Sequence, residues 1–238
     1  MSIPRTLRPR EIDAHLVLDA PASPARDDAE RLLRTAPDPF DRTACEHVTA
    51  SALVVDASNR RVLLVHHAKL GMWVQPGGHV EPQDERVAHA ALREAREETG
   101  VADLALGSGV LHVDRHAAPC LASGAGVHLD LLHLCIAPDD AVPVVSSESN
   151  DVRWFDVDAL PDDAVPGLAD RLRERPQGTW RERNDARHRE LMGLRSDLPW
   201  VREVLRRHDA GLGGTVVAGA MRTIVLTTDE AALGLDLP

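Results

Sequence analysis

Apolar residues gather in short β-rich runs through the middle of the chain. "HVTASALVVD" at 47–56 and "RVLLVHH" at 61–67 flank the polar "ASNR". Two runs rich in β-branched residues around a short polar turn predict a hairpin. "MWVQ" at 72–75 predicts a further short strand, stopped by Pro76-Gly77-Gly78. Residues 85–98 then switch to a helical period, which Gly100 ends in the usual position. "GVLHVDRH", "VHLDLLHLCIA" and "DVRWFDV" predict three more strands, and "DALPDD" a short helix after them.

The flanks read differently. "PREIDAHLVL" and "RDDAERLLRT" predict two short helices joined by a Pro-rich link, and the Pro/Asp cluster "TAPDPFDRT" marks a boundary. Beyond Pro176, "RERNDARHRELMGLR" and "LPWVREVLRRH" look helical, followed by two short β-rich runs in "AGLGGTVVAG" and "RTIVLTT". Strands around an embedded helix predict an α+β fold, an α/β/α sandwich with a mixed sheet. The expected organisation is a helical extension at 1–44, a central domain at 45–175 and a helical annex at 176–238 that packs or oligomerises, a candidate homodimer surface.

Composition narrows the partners. The chain has 238 residues, 43% of them hydrophobic and 27% charged, enough for a buried core. A net charge of −11 argues against a nucleic-acid polymer, whose backbone calls for a basic surface, but admits a small phosphorylated ligand that arrives with a cation. Interleaved Glu and Asp make the Arg-rich annex a solvated helix face. Cys45, Cys120 and Cys135 lack metal-type spacing, and no apolar run is long enough for a membrane span, so a reducing cytoplasm is expected.

The chemistry concentrates in "GGHVEPQDERVAHAALREAREETGV" at 77–101. With Glu94 at 0° on a helical wheel, Glu98 falls at about 40° and Glu97 at about −60°, so three carboxylates share a face. Ala88, Leu92, Ala95 and Thr99 form the packing side. Glu97 and Glu98 sit in the last turn, against the helix dipole. In a partly desolvated cleft, carboxylates ~6 Å apart repel by ~3 kcal/mol at an effective dielectric of ~20. A divalent cation reverses that sign, and hard oxygen donors suit Mg2+ or Mn2+. Without one, Arg93 and Arg96 would have to compensate a solvated acidic face.

The surroundings decide between these. Arg93, Glu94, Glu97, Glu98, Gly100 and Val101 resemble the Nudix hydrolase signature G-x5-E-x7-R-E-U-x-E-E-x-G-U, U being aliphatic. Glu85 precedes Arg93 by the required eight residues and is taken as the box glutamate, with Asp84 as substitute. Gly78 to Glu85 is one residue longer than the pattern, an insertion assigned to the loop "EPQD", and the first U is Ala95. The resemblance spans 45–165. It implies a Nudix fold and a pyrophosphatase that cleaves the diphosphate of a nucleoside diphosphate joined to another group.

The resemblance also implies roles. Glu97, Glu98, the Gly77 carbonyl and Glu148, six residues before Trp154, would ligate the metal. Glu94 would be the general base or a further ligand, with Arg93 orienting Glu85 or Glu97. His66, His67 and Lys69 before the Gly-Gly turn, Trp73 and Asp130 are substrate-contact candidates. His112, His116, His128 and His133 show no zinc-like spacing and read as strand-face or rim residues.

Substrate markers mostly eliminate. The tyrosine of diadenosine polyphosphate hydrolases is missing, since the chain has no tyrosine. The SQPWPFPxS array of NADH pyrophosphatases and the arginine-bearing element of the coenzyme A subfamily are missing as well. Pro119 stands a few residues late for the ADP-ribose marker. A catalytically silent Nudix domain that senses a nucleotide is the alternative. An isopentenyl diphosphate isomerase fits poorly, for want of a tyrosine and of a cysteine in a recognisable context.

Overall fold

A computed structural model describes residues 9–107, 109–118, 126–147, 149–175, 216–218 and 224–226. Two compact units divide the chain, Leu7–Arg175 and the combination of Met1–Thr6 with Pro176–Pro238. Only a short antiparallel strand pair is described in the second unit, β9 (Val216–Ala218) with β10 (Ile224–Leu226). The helices expected in the annex lie outside the described residues. No helix among the described residues is long and apolar enough to cross a membrane.

The first unit is built on a parallel strand pair. β1 (Glu46–Asp56) runs beside β7 (Gly126–Ala137) in unbroken register from Glu46↔Val127 to Asp56↔Ala137. Each of these strands divides its outer edge between two antiparallel partners. β1 pairs with β4 (Gly77–His79) and then with β2 (Arg61–His67). β7 pairs with β6 (His112–Ala118) and then with β5 (Ala105–Leu106). β2 carries β3 (Trp73–Val74) and β8 (Ser149–Asp156). The expected "ASNR" hairpin is present. The Asp56 carboxylate closes it by accepting from the Arg60 and Arg61 amides at 2.8 and 2.9 Å.

Alternation along β1 sorts the sheet into two faces. Val48, Ala50, Ala52 and Val54 are buried in one core with Ala90, Ala91 and Ala95 of α3 (Val87–Thr99). Alanines on both surfaces bring helix and sheet close. The same core takes Ala14 of α1 (Pro9–Leu16) and Ala29 and Leu33 of α2 (Pro24–Thr35), so the boundary at residue 45 opens the sheet rather than the compact unit. His47, Thr49 and Ser51 point to the other face. There α4 (Leu168–Glu174) sends Arg171 to Asp114 at 3.2 Å and to Gln75 at 3.4 Å. The helix expected to open at "DALPDD" is a run of turns, and α4 starts only after Gly167, whose φ is +81°.

Candidate active site

Arg93 organises the acidic stretch. Its guanidinium donates to Asp84 Oδ2 at 2.9 Å, the His79 carbonyl at 2.9 Å, Glu94 Oε1 at 2.9 Å and Glu97 Oε2 at 3.1 Å. Charge-assisted bonds of this kind fix orientation as well as charge. The Asp84 hydrogen bond foremost keeps Arg93 protonated. Asp84 also accepts from the Glu81 amide at 2.9 Å, so one carboxylate closes the 81–84 turn and holds the helix arginine.

Arg93 thus takes Asp84, not Glu85, as its loop carboxylate. Glu85 is exposed, whereas the Asp84 side chain is only 5% exposed and takes Arg93. Gly78 to Asp84 also keeps the six-residue step of the pattern. The extra residue therefore enters between Asp84 and Arg93, at the start of α3, where Arg86 is the extended N-cap. Strict counting from the glycine would have found it; counting back from the arginine did not.

The glycines are required by close approach. A Cβ on Gly78 would lie 2.5 Å from Glu94 Oε1, so Glu94 lies directly against the strand. A Cβ on Gly77 would meet Ser51 Cβ at 2.6 Å. The Ala52 amide donates to the Pro76 carbonyl at 2.9 Å. Antiparallel pairs alternate between bonded and non-bonded, so Gly77, opposite Ser51, turns its carbonyl away from β1 to the outer edge of β4. Burial, with smaller contributions from Glu97 and Glu81, raises the Glu94 carboxyl above the usual range, and Arg93 opposes it. Glu97 is exposed, Glu98 is half-buried, and Glu148 lies outside the described residues.

The substrate-contact candidates make contacts of their own. His66 reaches Asp163 at 3.8 Å and takes a hydrogen bond from Asn150 at 3.2 Å. His67 Nδ1 accepts from the Lys69 amide at 3.1 Å, which closes a turn, and Lys69 is exposed. Trp73 is buried, with its ring edge-to-face against Phe155 and His66 at 4.8 and 5.2 Å. Asp130 is buried between β1 and β7 and accepts from both the Thr49 and the Ser51 hydroxyls. It joins a polar centre in the sheet with Thr49 and Ser51.

The family model described as the NUDIX domain matches residues 46–175. The chain belongs to the Nudix hydrolase family. No curated protein matches it. Among solved structures, a Nudix-family hydrolase from Clostridium perfringens is 20% identical, with a TM-score of 0.44 over 53% of this chain and 96% of its own. A MutT Nudix hydrolase from Burkholderia pseudomallei is 27% identical, with a TM-score of 0.43 over 55% and 98%. An ADP-ribose pyrophosphatase from Streptococcus suis is 23% identical, with a TM-score of 0.41 over 53% and 87%.

The Nudix box thus occupies the strand–turn–helix formed by β4, the 80–86 loop and α3. Sequence reasoning missed a second constellation on the opposite sheet face, formed by His47, His79 and His128. Their positions in the chain carry no spacing signal; strand register alone unites them.

Proposed function

We propose that this Nudix hydrolase cleaves the diphosphate linkage of a nucleoside diphosphate joined to another group, with Mg2+ or Mn2+ as cofactor. The observation that carries the proposal is a largely desolvated Glu94 lying against Gly78 and sharing Arg93 with Glu97. This donor set fits the cation: crowded hard oxygens, with Arg93 as the compensating charge. Glu97, Glu98 and the Gly77 carbonyl would hold it, with Glu148 as a further candidate. When bound, it neutralises phosphate charge and makes a neighbouring water more acidic.

The chain's own groups do the rest. Arg93 occupies Glu94 Oε1, which leaves Oε2 to take the proton of the attacking water. The water oxygen bonds to one phosphorus and the bridging P–O bond breaks. The released phosphate keeps the bridge electrons, and the proton passes from Glu94 to solvent. Asp84 takes the part of the box acid by fixing Arg93, and through it Glu94.

The experiment is a panel of nucleoside diphosphate derivatives assayed with each metal, with parent, Glu94→Gln and Glu98→Gln proteins. The expected loss is about 10²-fold or more in kcat for each variant. Weaker metal binding should accompany Glu98→Gln and not Glu94→Gln. Full activity in Glu98→Gln overturns the proposal, and tight nucleotide binding without turnover in the parent would replace it with a sensor.

A further inference from the structure

Three imidazoles converge where β1, β4 and β7 run side by side. His47 and His128 are register partners in the parallel pair. His79 stands opposite Thr49, one step diagonal to His47 on the same face. The ring centroids are 5.3 Å apart for His47 and His79, 4.8 Å for His47 and His128, and 5.1 Å for His79 and His128. One ring nitrogen from each lies within 4.8 Å of the other two.

The decisive residue is His47. Its side chain is fully buried, and neither ring nitrogen has a hydrogen-bond partner among the described residues. The Ala44 carbonyl is near enough to favour a charge on the ring, but outside hydrogen-bond geometry. Buried polar side chains are nearly always satisfied, and one with two orphan nitrogens calls for an absent partner. Stacked histidines serving only as packing would leave those nitrogens without a hydrogen bond, with only the nearby Ala44 carbonyl as partial compensation.

We propose that His47, His79 and His128 bind a borderline transition-metal dication of the zinc class, at a site separate from the carboxylates of α3. The donor set is all imidazole, which suits Zn2+ and its neighbours and not Mg2+. Three protein nitrogens leave a fourth vertex for water or an anion. Zn–N bonds of 2.0–2.1 Å in a tetrahedron put the nitrogens roughly 3.4 Å apart, so separations now within 4.8 Å need shorten by at most about 1.4 Å. Asp41 and Arg42 face His47, and Arg42 is held by Glu81 at 3.7 Å. His116 lies against His128 at 5.2 Å and is itself bonded to Asp114 at 3.1 Å. A metal here would pin the three-residue β4, whose His79 carbonyl anchors Arg93.

The test uses the full chain, stripped with a chelator and dialysed against Zn2+ with excess Mg2+ present. Bound zinc is measured by elemental analysis, and Co2+ substitution reports geometry through its visible absorption. The expected result is one zinc per chain and four-coordinate Co2+ bands, both kept in a Glu97→Gln/Glu98→Gln double variant. His79→Gln and His128→Gln, which leave the buried His47 in place, should bind zinc at least about tenfold more weakly while circular dichroism stays parental. No retained zinc in the parent, or equal retention in folded His79→Gln and His128→Gln proteins, overturns the site. Loss of zinc in the glutamate variant alone would assign the metal to the box and overturn it too.

Discussion

A single arginine decides which acid of "PQDERV" matters. Arg93 has fixed positions for Glu94 and Glu97 one and four residues on, but its third carboxylate comes from a loop that helical spacing does not govern. Asp84 wins because its turn closes on the Glu81 amide, which presents the carboxylate to the guanidinium; Glu85 points to solvent. Asp84→Asn keeps the shape and removes the charge. It should cost about 1–3 kcal/mol of stability and lower kcat about tenfold, because Arg93 then pulls harder on Glu94 and Glu97. Glu85→Gln should move stability by no more than about 0.5 kcal/mol and kcat by less than about twofold, as expected of an exposed substitution. Urea denaturation and steady-state kinetics of the two variants check this; a larger loss in Glu85→Gln would restore it as the box acid.

The box helix depends on a group far from it in sequence. α3 has no acidic residue in its first turn and no cap from its own N-cap side chain. Asp13 of α1 supplies the acceptor, taking the Val87 amide at 3.2 Å and the Arg86 guanidinium at 3.2 Å, both partners buried. Burial raises the Asp13 carboxyl, and Arg86 opposes the rise. Asp13→Ala removes the cap and strands Arg86, and should cost about 3–5 kcal/mol in denaturant unfolding. Asp13→Asn keeps an acceptor and should cost clearly less; equal losses would mean that the charge, not the cap, is what matters. The α1 and α2 periods, the hairpin, the box and its terminal Gly100 were legible because each is a local pattern. Asp13 was not, since its partner amide is 74 positions away, and nothing in "REIDAHL" distinguishes a capping aspartate from a solvated one. The same limit hid the His47, His79 and His128 cluster, which exists only through the β1–β7 and β1–β4 registers.

Across the whole molecule, ionisable groups buried in the sheet make stability depend on pH. His133 on β7 is buried, donates from Nδ1 to the Gly109 carbonyl at 3.1 Å and leaves Nε2 without a partner among the described residues. Burial pushes its pKa down to about 4, and Arg86 and His89 facing it push the same way. The unfolded chain takes up that proton near the ordinary value of 6.5, so between pH 6.5 and about 4 the unfolded state binds more protons. The contribution is therefore complete above pH 6.5 and drains away as pH falls to about 4, on the order of 3 kcal/mol in all. Asp13 and Asp130 oppose this from below, because carboxyls raised by burial favour the folded state as they protonate. His133→Asn isolates the histidine, since its amide can still donate to Gly109 but does not titrate. Unfolding free energies measured from pH 7 to 4 should fall more steeply in the parent than in His133→Asn. Parallel curves would mean that His133 is protonated inside the fold, with Nε2 satisfied in a way that the sheet geometry does not provide.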